Sequence, residues 1–136
     1  MKIKFFVSHQ LEKPHRLAVH KSGKLGFSAE AAKALNLSQG KSISIGTNGD
    51  DPSDERLYMV LHESVEPGAF KVAKAGDYYY LPIKLLLDSL NVPYRVEGVA
   101  YQMEKIEDGL NTYYRLTRVN STRMKQKDGQ KLSSNS

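Results

Sequence analysis

The feature that most constrains this chain is residues 23–45, which read as turn, strand, helix, glycine stop and strand. Leu25 and Phe27 are two positions apart, which is the period of a half-buried strand. Ser28 follows and supplies a hydroxyl that can accept from a free N–H group of a first helical turn. Gly40 can adopt the positive φ that ends such a unit. The stretch predicts a two-turn helix between two strands, which is too short to be stable without packing.

A degenerate second copy follows over about residues 69–119, so each half reads β-β-α-β-β. Leu35-Asn-Leu37 and Leu90-Asn-Val92 end the two predicted helices alike, 55 residues apart. Pro82 fits the first position of the second helix, and Asp108-Gly109 predicts the turn of a long hairpin. One unit cannot close a core by itself. We therefore predict a mainly β fold with two short helices, in which tandem β-β-α-β-β units form a β-barrel-like pseudo-dimer.

The first unit, residues 16–62, resembles the swapped-hairpin domain of AbrB-type and MazE-type DNA-binding proteins. The chain departs from that pattern at four positions: Ser28 replaces the usual proline, Ala32 a common arginine, Asn36 a glycine and Lys41 an aspartate. The resemblance implies a DNA-binding regulator whose units pair to form one barrel. The positions that match the pattern are Gly23, Lys24, Leu25, Phe27, Glu30, Leu35, Leu37, Gly40, Ile43 and Ile45.

Composition excludes some kinds of site but does not identify a reaction. The chain has 136 residues, no cysteine and a net charge of +5, so it has neither disulfides nor thiolate metal sites. Four basic residues and one acidic residue give the tail, 120–136, a charge of +3, which leaves +2 for residues 1–119. We expect a cytoplasmic protein, with no membrane association. The expected segments are an N-terminal strand and connector (1–12), two units (13–64 and 65–119) and a disordered basic tail (120–136).

The sharpest functional candidate is the segment from residue 13 to residue 24, which contains basic residues and no acid. In the resembling family, positive groups on the first strand and its following turn approach DNA. Lysine and arginine release counterions from phosphates, and arginine can also read guanine. The alternative is that these charges lie on a solvated strand edge and serve only solubility. The predicted DNA-binding residues are Lys13, Arg16, His20, Lys21 and Lys24.

Three further features offer weaker chemistry. Tyrosines 78–80 can form a stacking platform for single strands, although core or interface positions are the commoner use. His15 and His20 are five residues apart, so in a strand they point to opposite faces, and we expect no metal site. The acidic loop after Ile45 lacks the ligand spacing of a calcium loop. The second helix is apolar on several sides, which indicates either deep burial or contact with another subunit.

No nucleophile–base pair, phosphate loop or dinucleotide fingerprint stands in the sequence, so we expect no enzyme activity and no cofactor. Our first hypothesis is a small DNA-binding regulator that contacts duplex DNA through a basic strand and turn. The alternative is a scaffold that keeps the fold and binds a protein partner or a second copy. A weaker alternative is a binder of single-stranded nucleic acid.

Overall fold

A computed structural model describes residues 1–5 and 15–120 of the chain. These residues form nine strands and two short helices, with 45% of the residues in strands and 11% in helices. The elements in chain order are β1 His15–Val19, β2 Lys24–Phe27, α1 Ala29–Ala34, β3 Ser42–Gly46, β4 Leu57–His62, β5 Phe70–Lys71, β6 Ala73–Ala75, β7 Tyr78–Pro82, α2 Lys84–Ser89, β8 Val99–Asp108 and β9 Asn111–Asn120.

All nine strands belong to one antiparallel sheet, in the order β5-β3-β4-β9-β8-β1-β2-β7-β6. The two outermost strands, β5 and β6, are separated along the chain by Val72 alone. The Val72 N–H group also donates to the Lys41 carbonyl, 3.0 Å away. Because one continuous segment supplies both edges, the sheet curls into a nearly closed barrel.

The sheet has an internal pseudo-twofold symmetry. Exchanging each strand of one unit for its counterpart in the other leaves the strand order around the barrel unchanged. The β3–β4 hairpin of the first unit lies between β5 and β9, which both belong to the second. The β8–β9 hairpin of the second unit lies between β4 and β1, which both belong to the first. The predicted fold class is therefore confirmed: two β-β-α-β-β units share one barrel as a pseudo-dimer, and each unit's hairpin is inserted into the other.

The barrel interior is filled by alternate strand residues from both halves. Leucines from five strands are at most 1% exposed, and residues of the two helices cover them. Each such leucine contributes about 1.5–3 kcal/mol relative to an exposed position. The shared core explains why neither half is expected to fold without the other. Its most buried members include Leu17, Leu25, Ala31, Ile43, Leu57, Leu81, Ile83, Leu87, Tyr101 and Leu116.

The two helices end in the same way, as the repeated Leu-Asn pattern indicates. Asn36 and Asn91 have positive φ angles of 51° and 59°. Asparagine tolerates this left-handed conformation better than most residues. The N–H group of the next residue then donates to the carbonyl five positions earlier, from Leu37 to Ala32 and from Val92 to Leu87, each at 3.0 Å. At the other end of α1, the Ser28 hydroxyl accepts from the Ala31 N–H at 3.1 Å, as predicted.

Several element boundaries differ from the sequence prediction. Pro82 was expected to begin the second helix, and this was wrong: it is the last residue of β7 and pairs with Lys24. A strand end tolerates proline because little ladder remains to be lost. The sequence predicts that the first strand of the long hairpin runs from Arg95 to Glu107. β8 begins at Val99 instead, because the Val96 and Glu97 N–H groups donate to the Pro93 carbonyl in a turn.

The N-terminal prediction is covered only in part by the structure. Residues 1–5 form no strand and are exposed, while the rest of the predicted N-terminal strand and its connector lies outside the described residues. The predicted disordered tail also lies outside them. Helix α2 is half buried: Ile83 and Leu87 are fully covered, whereas Leu85 is 82% exposed.

Candidate nucleic-acid interface

The turn between β1 and β2 is held by its own backbone. The His20 N–H donates to the Lys24 carbonyl, and the Gly23 N–H donates to the His20 carbonyl, both at 2.9 Å. Gly23 has a φ of +89°, a conformation that side chains other than glycine resist. The turn therefore has a fixed shape, and Lys21 and Lys24 are exposed on it.

The first residue of α2 brings a third lysine to the same turn. The Ile83 N–H donates to the Gly23 carbonyl at 3.2 Å. A Cβ atom on Gly23 would lie 2.8 Å from the Lys84 Cα, so the helix start packs directly on the glycine. Lys84 is exposed. Lys21, Lys24 and Lys84 thus surround one turn, although they come from distant parts of the sequence.

Two tyrosines of β7 cover the neighbouring outer face of β2. Tyr78 and Tyr80 are half-buried, and their rings stack with centroids 6.3 Å apart at 22°. The Tyr78 hydroxyl lies over Gly26, where a Cβ atom would overlap it. Tyr79 faces the other way and packs against the core. The tyrosine run therefore divides by strand alternation into one inward ring and two outward rings.

Polar contacts join the outward rings to the turn. The His20 ring Nε2 is hydrogen-bonded to the Tyr78 hydroxyl, and the two rings meet edge to face at 5.5 Å. The Lys24 Nζ lies 4.6 Å from the Tyr80 ring centroid, within cation–π range. Burial raises the pKa of Tyr78, so its hydroxyl stays protonated at neutral pH. We call this surface the basic–aromatic patch; its members are His20, Lys21, Lys24, Tyr78, Tyr80 and Lys84.

The patch lysines lack ion pairs, as do most lysines of the described chain, where Lys41 alone has a carboxylate within 4.0 Å. They differ in this from the arginines. Elsewhere, most arginines of the described chain face a carboxylate. Within residues 1–5 and 15–120, none of the three patch lysines has a carboxylate oxygen within 4.0 Å. Among the described residues the patch therefore holds positive charge without a direct ion pair, although the Lys84 charge also acts on the Asp88 carboxylate from beyond 4.0 Å. The arginine pairs are Arg56–Asp54, Arg95–Asp88, Arg115–Glu104 and Arg118–Glu55.

The structure brings three of the five sequence-predicted site residues together: His20, Lys21 and Lys24. Arg16 is half-buried on β1, opposite Gln102, and already has an interaction partner. Lys13 lies outside the described residues. The prediction missed Lys84 and did not connect Tyr78 and Tyr80 with the basic turn. No local signal marks them, because they reach the turn through the β2–β7 pairing between units.

The acidic loop between β3 and β4 is organised by its own hydrogen bonds. The Asp54 carboxylate accepts from the Arg56 guanidinium at 2.9 Å, from the Tyr58 hydroxyl at 2.6 Å and from the Asn48 amide at 3.2 Å. The Arg56 side chain, followed by Tyr58, holds the pKa of Asp54 well below its usual range. The Asp54 carboxylate therefore stabilises the loop through these hydrogen bonds. Among the described residues, no three histidine, aspartate or glutamate side chains converge as metal ligands would.

A serine–histidine contact was also missed by sequence reasoning. Ser44 and His62 lie on the paired strands β3 and β4, with the hydroxyl oxygen 2.8 Å from the ring Nε2. No carboxylate of the described chain lies within ion-pairing distance of His62. A histidine that acts as a base for serine is normally oriented by a third group. The contact is explained as a cross-strand pair.

Comparison of the chain with protein-family models, with curated proteins and with solved structures finds no match.

No helix within the described residues combines the length and the apolar character that a membrane span requires.

Proposed function

We propose that this protein binds duplex DNA through the turn between β1 and β2. The observation that supports the proposal is the convergence of Lys21, Lys24 and Lys84 on one exposed surface, where no carboxylate of the described residues lies within 4.0 Å of them. Clustered lysines on a rigid turn attract a polyanion by releasing its condensed counterions. The proposal also agrees with the resemblance of residues 16–62 to AbrB-type and MazE-type domains, which itself stays a prediction.

The patch is suited to phosphate contact more than to reading bases. Lysine presents a compact point charge, whereas bidentate recognition of guanine is best done by arginine. The arginines of the described second unit are paired with carboxylates, and Arg16 is half-buried with a partner. We therefore propose binding that is dominated by the DNA backbone and strongly dependent on salt.

The two units contribute unequally. The corresponding turn of the second unit, between β6 and β7, contains Gly76 and the acidic Asp77. Basic residues of the second unit, Lys71 and Lys74, lie on the strands before this turn. One strongly basic turn and one mixed turn predict that the protein approaches DNA from the first unit's side.

The experiment is a duplex DNA binding assay with the full chain carrying Lys21→Gln and Lys24→Gln together. If both lysines contact phosphate, affinity falls by roughly 30-fold near 0.15 M salt. The matched control carries Lys33→Gln and Lys105→Gln, which remove the same charge from exposed positions on α1 and β8. Both variants keep the basic tail, so the difference between them measures the patch alone.

Equal losses in the two variants would contradict the proposal, because they would show that only net charge matters. No loss in either variant would also contradict it. Circular dichroism of each variant checks that the barrel is intact. Since all four lysines are exposed, we expect no change in fold.

A second candidate is binding of single-stranded nucleic acid, which the stacked pair Tyr78 and Tyr80 favours. Half-buried rings beside a lysine match the combination of stacking and charge used on single strands. In that case Tyr80→Ala weakens binding to an oligothymidine and leaves duplex affinity unchanged. Tyr79→Ala is a poor test, because that ring packs against the core.

The scaffold alternative has one observation of its own. Leu85 on α2 and Val96 in the following turn are each 82% exposed. Exposed apolar groups of this kind occur at protein–protein contacts. If they form such a contact, the double variant Leu85→Lys and Val96→Lys reduces self-association in sedimentation while DNA affinity is retained.

A further inference from the structure

A concave feature lies at one end of the barrel and is lined by none of the residues of the basic–aromatic patch. It is a cleft of about 620 Å³ between the β3–β4 loop, the end of α2 and the ends of β8 and β9. This volume is within the usual range for small-molecule sites, and barrel mouths are common places for them. Its lining includes Leu57, Leu90, Val92, Tyr101, Glu55 and Arg118.

Tyr101 supplies an unusual polar group to this cleft. The residue is 1% exposed and its ring belongs to the core, yet it lines the cleft. Its hydroxyl has no hydrogen-bond partner among the residues that the structure describes. Buried hydroxyls are normally paired, so a ligand in the cleft is the natural partner. Burial raises the pKa of Tyr101, which keeps the hydroxyl protonated and able to donate.

Arg118 lies directly beside this tyrosine. The two residues are register partners on β8 and β9, so their side chains share one face of the hairpin. The Arg118 guanidinium is 3.2 Å from Glu55, a side chain that is 78% exposed. Two donors, a phenol and a guanidinium, therefore line the cleft, and an exposed carboxylate is paired with the guanidinium.

The first hairpin shows that the barrel does not need this polar pair. Its inward-facing register pairs are Ile43–Leu61 and Ile45–Met59, and all four side chains are apolar. In the second hairpin, one register pair near the same end consists instead of tyrosine and arginine. A polar substitution inside a pseudo-symmetric core is costly unless something in the cleft meets it.

The other carboxylates of the cleft do not compete for these donors. Asp54 is taken up by Arg56 and Tyr58, and Asp51 accepts from the backbone and hydroxyl of Ser53. The remaining lining mixes the apolar side chains of Leu57, Leu90 and Val92 with polar residues such as Thr47 and Asn91. The cleft thus offers a pair of donors and an apolar strip.

We propose that the cleft binds a small organic carboxylate with an apolar body. The carboxylate accepts from Arg118 and from the Tyr101 hydroxyl and displaces Glu55 into solvent. The apolar body packs against Leu57, Leu90 and Val92. This site is independent of the proposed DNA contact, and no sequence motif predicts a small-molecule ligand.

The test is to titrate the full chain with hexanoate and, separately, with benzoate, and to monitor each titration by two-dimensional ¹H–¹⁵N NMR. We expect shifts confined to the cleft, with a Kd of about 1 mM, the range for ligands of this size. Hexylamine and benzamide serve as matched probes without a carboxylate and should cause no such shifts. Glu55→Gln should strengthen binding several-fold, because it removes the competing carboxylate.

The matching variants locate the contact. Tyr101→Phe and Arg118→Met should each weaken benzoate binding by about tenfold or more, since each removes a charge-assisted hydrogen bond. The control is Arg115→Met. Arg115 lies on β9, as Arg118 does, and its substitution breaks the ion pair with Glu104 but should leave benzoate binding unchanged. If Arg118→Met unfolds, Tyr101→Phe and Glu55→Gln still decide the matter. Equal binding of the amine or the amide, an unchanged affinity in Tyr101→Phe, or no cleft shifts in Glu55→Gln would overturn the proposal.

Discussion

Replacing Gly23 by alanine tests the contact that joins the basic turn to the second unit. The φ of +89° already disfavours a side chain, at about 1–2 kcal/mol. The added Cβ would also lie 2.8 Å from the Lys84 Cα, which is backbone and cannot rotate away. Overpacking of this kind costs about 1–3 kcal/mol. We therefore expect Gly23→Ala to lower the free energy of unfolding by about 2–5 kcal/mol.

Gly68→Ala is the matched control for the backbone part of this cost. Gly68 has a φ of +81°, and a Cβ atom there would meet nothing within 4 Å. It should cost only the conformational penalty of about 1–2 kcal/mol. The difference between the two variants then measures the packing of α2 on the turn.

The assay is guanidinium chloride unfolding followed by far-ultraviolet circular dichroism. In a thermal scan the larger effect corresponds to a fall in Tm of about 10–20 °C for a domain of this size. Equal destabilisation by Gly23→Ala and Gly68→Ala would refute the reasoning. It would mean that α2 does not press on the turn and that Lys84 is not held beside Lys21.

Two further predictions concern the loop and the helix ends. Arg56 and Tyr58 hold the pKa of Asp54 below its usual range in the folded protein. As the pH falls below about 4, the Asp54 carboxylate is therefore protonated in the unfolded chain before it is protonated in the folded one. Stability should therefore decline on acidification in urea titrations, and less steeply in Asp54→Asn; identical pH profiles would contradict this. Asn36→Ala and Asn91→Ala should each cost about 1 kcal/mol by the same assay, whereas the glycine variants should be close to neutral, because both positions have positive φ. Equal losses in the alanine and glycine variants would argue against left-handed helix ends.

The fold class was predictable because the signals for it are local. Alternation at Leu25 and Phe27 gave a strand, Ser28 gave a helix start, and the two Leu-Asn patterns gave matching helix ends. The repeat then required a shared barrel, since neither half has a core of its own. Boundaries were less accurate where tertiary contacts decide them. Pro82 pairs with Lys24 of the other unit, and no residue near Pro82 in the sequence indicates this pairing.

The candidate sites were predictable only in part, for the same reason. His20, Lys21 and Lys24 are close in sequence, and their shared turn was visible. Lys84 is 60 residues from Lys24 and reaches the patch only through the packing of α2 on Gly23. The cleft was not foreseen, because the Tyr101–Arg118 pair depends on the register of β8 and β9.

The most direct test of the central claim is the salt dependence of duplex DNA affinity, measured for the wild-type chain and for the Lys21→Gln and Lys24→Gln double variant. Each lost phosphate contact should reduce the slope of log K against log salt concentration by about 0.9. We predict a steep negative slope for the wild type and a slope smaller by about 2 in the double variant. The same slope in both proteins, or duplex affinity that does not respond to salt, would contradict DNA binding through this turn.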